Sequence, residues 1–399
     1  MVTQKIELKN KERFLIPHNI SEEKIDLAIE KALNKLKKQI PRFTDSFAGT
    51  PKRDAKYTYT NTDNSGWICG MQTGEFLLAY ELSGNDAFKD IVLKHIDSYA
   101  ERNKKRYDMQ FHDVGFVFSP SCVGAYKVLN NKKAYDTALD AAEYFYSTSY
   151  CKKGKFVLRF PEGAEGDEES CRTMMDTLMN SPLLFWAGKE TGKKEYTEAG
   201  TMQYKTTEKC LIRDDASSYH HYQFDINTFA PVRGLTYQGV HDESTWSRGH
   251  AWGVYGFPIA YSYIKDEHLF DLHRDITYYF LNQLPENMLP CVDFCLKSIE
   301  YPRDSSAAAI SVCGMLEMIK HLPDSAEQKE IFKNASSMML ESIIDNCTND
   351  IGVEYDGLLH KVSAAANMNY PMETCAIYGD YFYLEALMRY KNPNWKMYW

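Results

Sequence analysis

The chain of 399 residues has no apolar run long enough to cross a bilayer. Its first residues, MVTQKIELKNKERF, lack the apolar centre of a secretory signal. A cytoplasmic protein with no membrane partner is therefore expected. CxxC is absent. The ten cysteines are scattered, and Cys291 with Cys295 forms a lone CxxxC, so neither a zinc site nor a disulfide framework is indicated. HExxH is missing too, and His220, His221, His241 and His250 stand at no recognised metal-ligand spacing, so no metal is expected. The absence of GxSxG, of a P-loop and of GxGxxG removes serine hydrolases of the elbow type, phosphate-loop enzymes and dinucleotide binders. Positive charge is the minority sign, with 46 Lys+Arg against 55 Asp+Glu and a net charge of −9. Without a basic stripe, nucleic acid is not an expected partner. No proline- or serine-rich linker divides the chain, which predicts a polar arm over residues 1–20 and one domain over 21–399.

Apolar residues make up 44% of the chain, and its 28 Tyr, 20 Phe and 6 Trp are enough both to fill a large core and to offer flat faces to sugars. Ser21-Glu22-Glu23-Lys24 reads as a capped helix start, followed at helical spacing by Ile25, Ala28, Ile29, Ala32 and Leu33. The same periodicity predicts helices over 71–83, 86–104, 121–129, 133–147, 171–191, 194–210, 245–264, 266–283, 305–321, 326–347 and 380–389. Several join through tight turns: Ser83-Gly84-Asn85-Asp86, Leu129-Asn130-Asn131-Lys132 and Thr191-Gly192-Lys193-Lys194. Faintly repeated hairpins suggest an all-α ring, an (α/α)6 barrel. An open solenoid should show a cleaner period and polar end repeats.

Three irregular segments carry the candidate chemistry. The first, Phe111-His112-Asp113-Val114-Gly115-Phe116, sets an acid among aromatics, although a helix cap or a structural turn is the commoner account of such an Asp taken alone. The second holds Asp176 in an apolar run from Arg172 to Trp186. A buried Asp must be paired, protonated or functional. On a helix Arg172 and Asn180 would share its face, and a structural Arg172–Asp176 pair is the bland account. The third runs from Arg213 through His220 to Gln238 and on to Trp246, Arg248 and Trp252. Asp242 to Ser244 read there as a helix start. Arg248 and Trp252, four apart, form either a carboxylate-recognising pair or a cation–π packing contact.

Together these segments resemble the unsaturated glucuronyl hydrolases, glycoside hydrolase family 88. The likeness is carried by His112-Asp113-Val114-Gly115-Phe116, Asp176-Thr177-Leu178-Met179-Asn180, Arg213-Asp214-Asp215 through His220, and Gln238-Gly239 through Trp252-Gly253-Val254-Tyr255-Gly256. It continues in Pro302-Arg303-Asp304-Ser305-Ser306-Ala307 and the block 378–387, and so covers the chain from about Lys24 to its end. The resemblance implies an (α/α)6 barrel with Asp176 as general acid and base and Asp113 as the second essential acid. His112, His220, Gln238, Arg248, Trp252, Trp246 and Trp67 would bind substrate. It implies addition of water across the C4=C5 bond of an unsaturated uronate at the non-reducing end of a lyase-generated oligosaccharide, without a cofactor. The apolar surroundings of Asp176 would then suit a raised pKa.

Some positions depart from the family pattern. Met71-Gln72 follow Trp67 where an aromatic pair is common, and Phe160 takes the place of a tryptophan. The stretch Lys361 to Tyr370 lacks the serine and lysine spacing of relatives acting on sulfated glycosaminoglycans, so strong dependence on sulfate is not expected. Other readings are an unsaturated rhamnogalacturonyl hydrolase, a sugar epimerase relying on histidine bases, and a glycan-binding helical scaffold in which Asp176 only pairs with Arg172.

Overall fold

The computed structural model describes residues 5–51, 57–160, 171–298, 300–348, 354–366 and 372–399. Twelve helical segments alternate between two classes that their sequences already distinguish. Six are amphipathic: Glu22–Phe43, Asp86–Lys105, Lys132–Ser149, Lys194–Leu211, His268–Asn282 and Glu327–Cys347. In the first of these Ile25, Ala28, Ile29, Ala32, Leu36 and Phe43 are buried while the lysines and glutamates between them face water. Each large apolar side chain so buried stabilises the fold by about 1.5–3 kcal/mol. The other six are apolar almost all round, as a helix enclosed by other helices must be. They are Cys69–Ser83, the broken helix from Val114–Phe118 to Gly124–Leu129, the pair Thr177–Asn180 and Pro182–Thr191, Ser247–Ile264, Ser305–Ile319 and Ile377–Lys391.

The inner helices pack on one another in sequence order, and Ile377–Lys391 returns to pack on Cys69–Ser83, which closes the ring. The fold is an (α/α)6 barrel, as expected. Strict alternation makes all six inner helices run the same way. The first three connections from inner to outer helix are tight turns in which Gly84, Asn130 and Gly192 adopt the left-handed conformation of a helix C-cap at φ 65°, 50° and 74°. Most connections from outer to inner helix are longer, and three of them hold the small antiparallel sheets, Phe47–Pro51 with Tyr59–Thr62, Tyr150–Cys151 with Phe156–Val157, and Arg172–Met174 with His221–Phe224 and Pro231–Leu235.

Three expectations need correction. The segment 171–191 is not one helix: Arg172–Met174 is a strand paired with His221–Phe224, and the helix restarts at Thr177 and again at Pro182. Pairing across the sheet outweighs the local helical spacing. The inner helix expected from Ser121 begins at Val114 and passes through a widened π-helical turn, Ser119–Val123. The helix expected from Asp242 begins at Ser247, because the Asp242 carboxylate instead accepts from the Thr236 amide at 2.9 Å. The described part of the N-terminal arm is folded against the ring: Lys11–Leu15 is helical, Phe14 is buried, and Asn334 donates to the Phe14 carbonyl at 2.9 Å.

The end of the ring bearing the tight turns is filled. Tyr398 and Trp399 are buried there, with the Trp399 ring stacked on Phe382 at 6.0 Å and edge-on to Phe116. The opposite end is left for the site.

Candidate active site

Parallel inner helices bring their N-termini to one mouth, and the predicted residues lie there. Trp67 precedes Cys69–Ser83, Asp113 stands at the N-cap of Val114–Phe118, and Asp176 at that of Thr177–Asn180. Trp246 and Asp304 hold the same place before Ser247–Ile264 and Ser305–Ile319. Six positive dipole ends around one opening favour an anionic ligand.

Neither acid caps its helix, since no side-chain cap hydrogen bond forms from Asp113 or Asp176. Both turn to His112, whose Nε2 lies 2.9 Å from Asp176 Oδ1 and 3.3 Å from Asp113 Oδ1. Asn180 Nδ2 donates to Asp113 Oδ1 at 3.1 Å and to the Asp176 carbonyl at 3.2 Å, while its Oδ1 accepts from the Phe116 amide at 2.7 Å. One amide thus fixes the spacing of both acids. Ligand-capable atoms of His112, Asp113 and Asp176 all lie within 4.8 Å of one another. The ring proton on Nε2, shared between two carboxylates, accounts for that closeness.

Burial would lower the His112 pKa, but Asp113 and Asp176 overcome it and lift the imidazole to about 9. Burial pushes Asp113 up to about 6, with the Asp176 charge adding to the rise against the pull of His112. Burial acts on Asp176 in the same sense, yet the charge and hydrogen bond of His112 outweigh it and hold the carboxyl below its ordinary value. The expectation of a raised Asp176 in the resting site is therefore corrected: the raised acid is Asp113, because His112 bonds more closely to Asp176. His220 is held neutral, its pKa lowered to about 4 by burial.

Arg172 is also not where a helix would put it. Carried on the strand, it donates to the Tyr237 hydroxyl and lies 5.1 Å from that ring, so the structural Arg172–Asp176 pair gives way to another partner. Arg248 is fully buried, bonded to Asp304 Oδ2 at 2.8 Å, to the Ser363 carbonyl at 2.7 Å and to the Ala364 carbonyl at 2.6 Å. Its guanidinium lies between the Trp246 and Tyr378 rings at 4.5 and 4.4 Å. The indole beside it is that of Trp246, whereas Trp252 packs on Phe116 at 5.2 Å and on Phe382. Gln238 Nε2 also donates to the Ala364 carbonyl, at 2.8 Å. Trp67 stacks on Tyr378 at 5.3 Å. Sequence reasoning placed no role on Asp304 or Tyr378. The string Asp304-Ser305-Ser306 at a helix start was the available signal, and the Asp304 carboxylate does accept from the Ser306 amide at 3.1 Å.

Several buried polar atoms around the acids have no protein partner among the described residues: His112 Nδ1, His220 Nε2 and Trp246 Nε1. The His220 and Trp246 rings are 4.7 Å apart. Orphaned donors and acceptors this close to a shielded acid pair fit a polyhydroxylated ligand that would satisfy them.

The sequence model of Glycosyl Hydrolase Family 88 matches residues 39–390. An unsaturated chondroitin disaccharide hydrolase of Streptococcus pneumoniae is 39% identical over 394 residues, 98% of each chain. An unsaturated glucuronyl hydrolase of Bacillus sp. (strain GL1) is 32% identical over 91% of this chain and 95% of its own. Among solved structures, the unsaturated glucuronyl hydrolase of Streptococcus agalactiae superimposes with a TM-score of 0.95 at 34% identity, covering 100% of this chain and 99% of the other. An aspartate-to-asparagine variant of that enzyme, complexed with dGlcA-GalNAc6S, gives a TM-score of 0.88 at 32% identity, with the same coverage of 100% and 99%. The chain belongs to glycoside hydrolase family 88. It is a glycosidase.

Proposed function

We propose that this glycosidase releases a 4,5-unsaturated uronic acid from the non-reducing end of glycosaminoglycan-type oligosaccharides by hydrating the C4=C5 enol ether. The observation that carries the reading is the pair of shielded carboxylates sharing His112, at the end of the ring where six helix N-termini meet. The curated relatives named for unsaturated chondroitin and glucuronyl substrates support it.

In this reading the resting site holds its mobile proton on His112, beside an ionised Asp176. An entering uronate anion raises the proton affinity of Asp176, which takes the proton from Nε2 and delivers it to C4. Positive charge develops at C5 as an oxocarbenium, and the ionised Asp113 stabilises it. Asp176, now a carboxylate, removes a proton from the water attacking C5. Asp176 then returns the water's proton to His112 Nε2, which restores the resting site, so the sum is one water added across the double bond. The resulting hemiketal opens and frees the neighbouring sugar. Trp67, Trp246 and Trp252 wall the uronate, and His220, Gln238 and Arg248 complete its polar contacts.

We place the reaction in the cytoplasm, where scattered, mostly buried thiols stay reduced. Among the described residues no helix is long and apolar enough to cross a membrane. The test is loss of the ultraviolet band of the enol ether on a panel of unsaturated disaccharides. The wild-type protein should bleach it. Failure on every member, with the protein folded, would overturn the reading.

A further inference from the structure

Arg159 stands beside the site and is used by nothing described so far. Its amide donates to the Arg172 carbonyl at 2.9 Å, and its own carbonyl accepts from the His112 amide at 3.0 Å, so its backbone is locked against the catalytic histidine. Its guanidinium carbon lies 4.8 Å from the Phe160 ring and 4.5 Å from the Tyr237 ring. Its side chain has no hydrogen bond or ion pair among the described residues, whereas Arg248 is paired with Asp304 and the proton of His112 is held between two carboxylates. Stacking fixes the plane of the guanidinium and leaves its N–H edge uncommitted, the state in which arginine recognises planar or tetrahedral anions. Its charge is felt by Asp113, Asp176, His112 and His220, and lowers the proton affinity of each.

It is near the acids without touching them, since no ion pair within 4.0 Å joins it to either. A uronate seated on Asp113 and Asp176 therefore leaves Arg159 for the next position along the substrate. Among the described residues, Arg159 is only half-buried and its neighbour Phe160 is 37% exposed. We infer that Arg159 is the anion-recognising residue of the leaving-sugar subsite, where it takes a sulfate ester carried by the sugar that follows the unsaturated uronate. The inference rests on the hydrolase reading above. It gives preference, not dependence: an unsulfated disaccharide still reaches Asp176 and still turns over. It also supplies a cation that the 361–370 stretch, only partly within the described residues, was not expected to supply.

The test compares wild type, Arg159→Gln and Arg159→Lys on unsaturated chondroitin disaccharides with and without sulfate on the hexosamine. Losing one charged hydrogen-bonded contact should raise KM for the sulfated compound about tenfold or more in Arg159→Gln. Each variant is compared at its own pH optimum, because the Arg159 charge also acts on the proton affinity of Asp113 and His112. The unsulfated compound should change by less than about threefold and kcat should hold on both, with Arg159→Lys intermediate. Equal loss on both compounds would overturn the inference, placing Arg159 on the uronate carboxylate or in support of His112. So would an unchanged KM on both, or a wild type that does not discriminate. If wild type bleaches neither compound, the hydrolase reading itself has failed, a result distinct from the others.

Discussion

His112 Nε2 lies 2.9 Å from Asp176 and 3.3 Å from Asp113, and its hydrogen bond goes to Asp176, whose carboxylate also feels His220. The closer acid is ionised and the farther one is driven up to about 6. Activity should therefore have two limbs. It falls as pH drops through about 6, where Asp113 gains the proton that cancels its stabilising charge, and as pH rises through about 9, where His112 loses the proton it supplies. Asn180 lowers the Asp113 pKa by its hydrogen bond, so Asn180→Ala should move the acid limb of kcat/KM upward while the alkaline limb stays. Asp176→Asn should lower kcat about 100-fold or more with an unchanged circular dichroism spectrum. An enzyme still turning over at near the wild-type rate would remove Asp176 from the chemistry. Both acids were legible in the sequence as carboxylates in apolar surroundings. Their division of states was not, because it depends on a ring nitrogen contributed 64 residues before Asp176.

Between elements, the decisive contact is the approach of Val114–Phe118 to Thr177–Asn180. A Cβ on Gly115 would stand 2.1 Å from the Asn180 carbonyl oxygen, in backbone that cannot yield as a side chain can. Gly115→Ala should force the two helix starts apart, costing about 1–3 kcal/mol in urea unfolding. It should lower kcat more than stability alone explains, because it moves Asp113 against Asp176. The sequence showed an apolar run with helical spacing over 171–191, and strand pairing by Arg172–Met174 overrode its first part. Nothing local marks that stretch as a strand, since its partner His221–Phe224 lies in the next long connection. The tight turns were legible for the opposite reason: a left-handed glycine or asparagine is a local requirement.

Across the whole molecule, the helix count and the gathering of polar residues in three long loops already indicated a ring with its site at one end. Closure itself was not legible, since it joins Cys69–Ser83 to Ile377–Lys391 across nearly the whole chain. Nor was the filling of the far end, where Trp399 stacks on Phe382 and meets Phe116, a residue also in contact with Trp67 and Trp252. Trp399→Ala should cost about 3–5 kcal/mol, measured by urea unfolding. A loss under 1 kcal/mol would mean that this end of the ring is held by other contacts. The filled end also turns the ring into a blind alley. A polysaccharide cannot thread through it, so under the proposed reaction only a chain end can reach the two acids. Both products of that reaction must therefore leave by the mouth through which the substrate came.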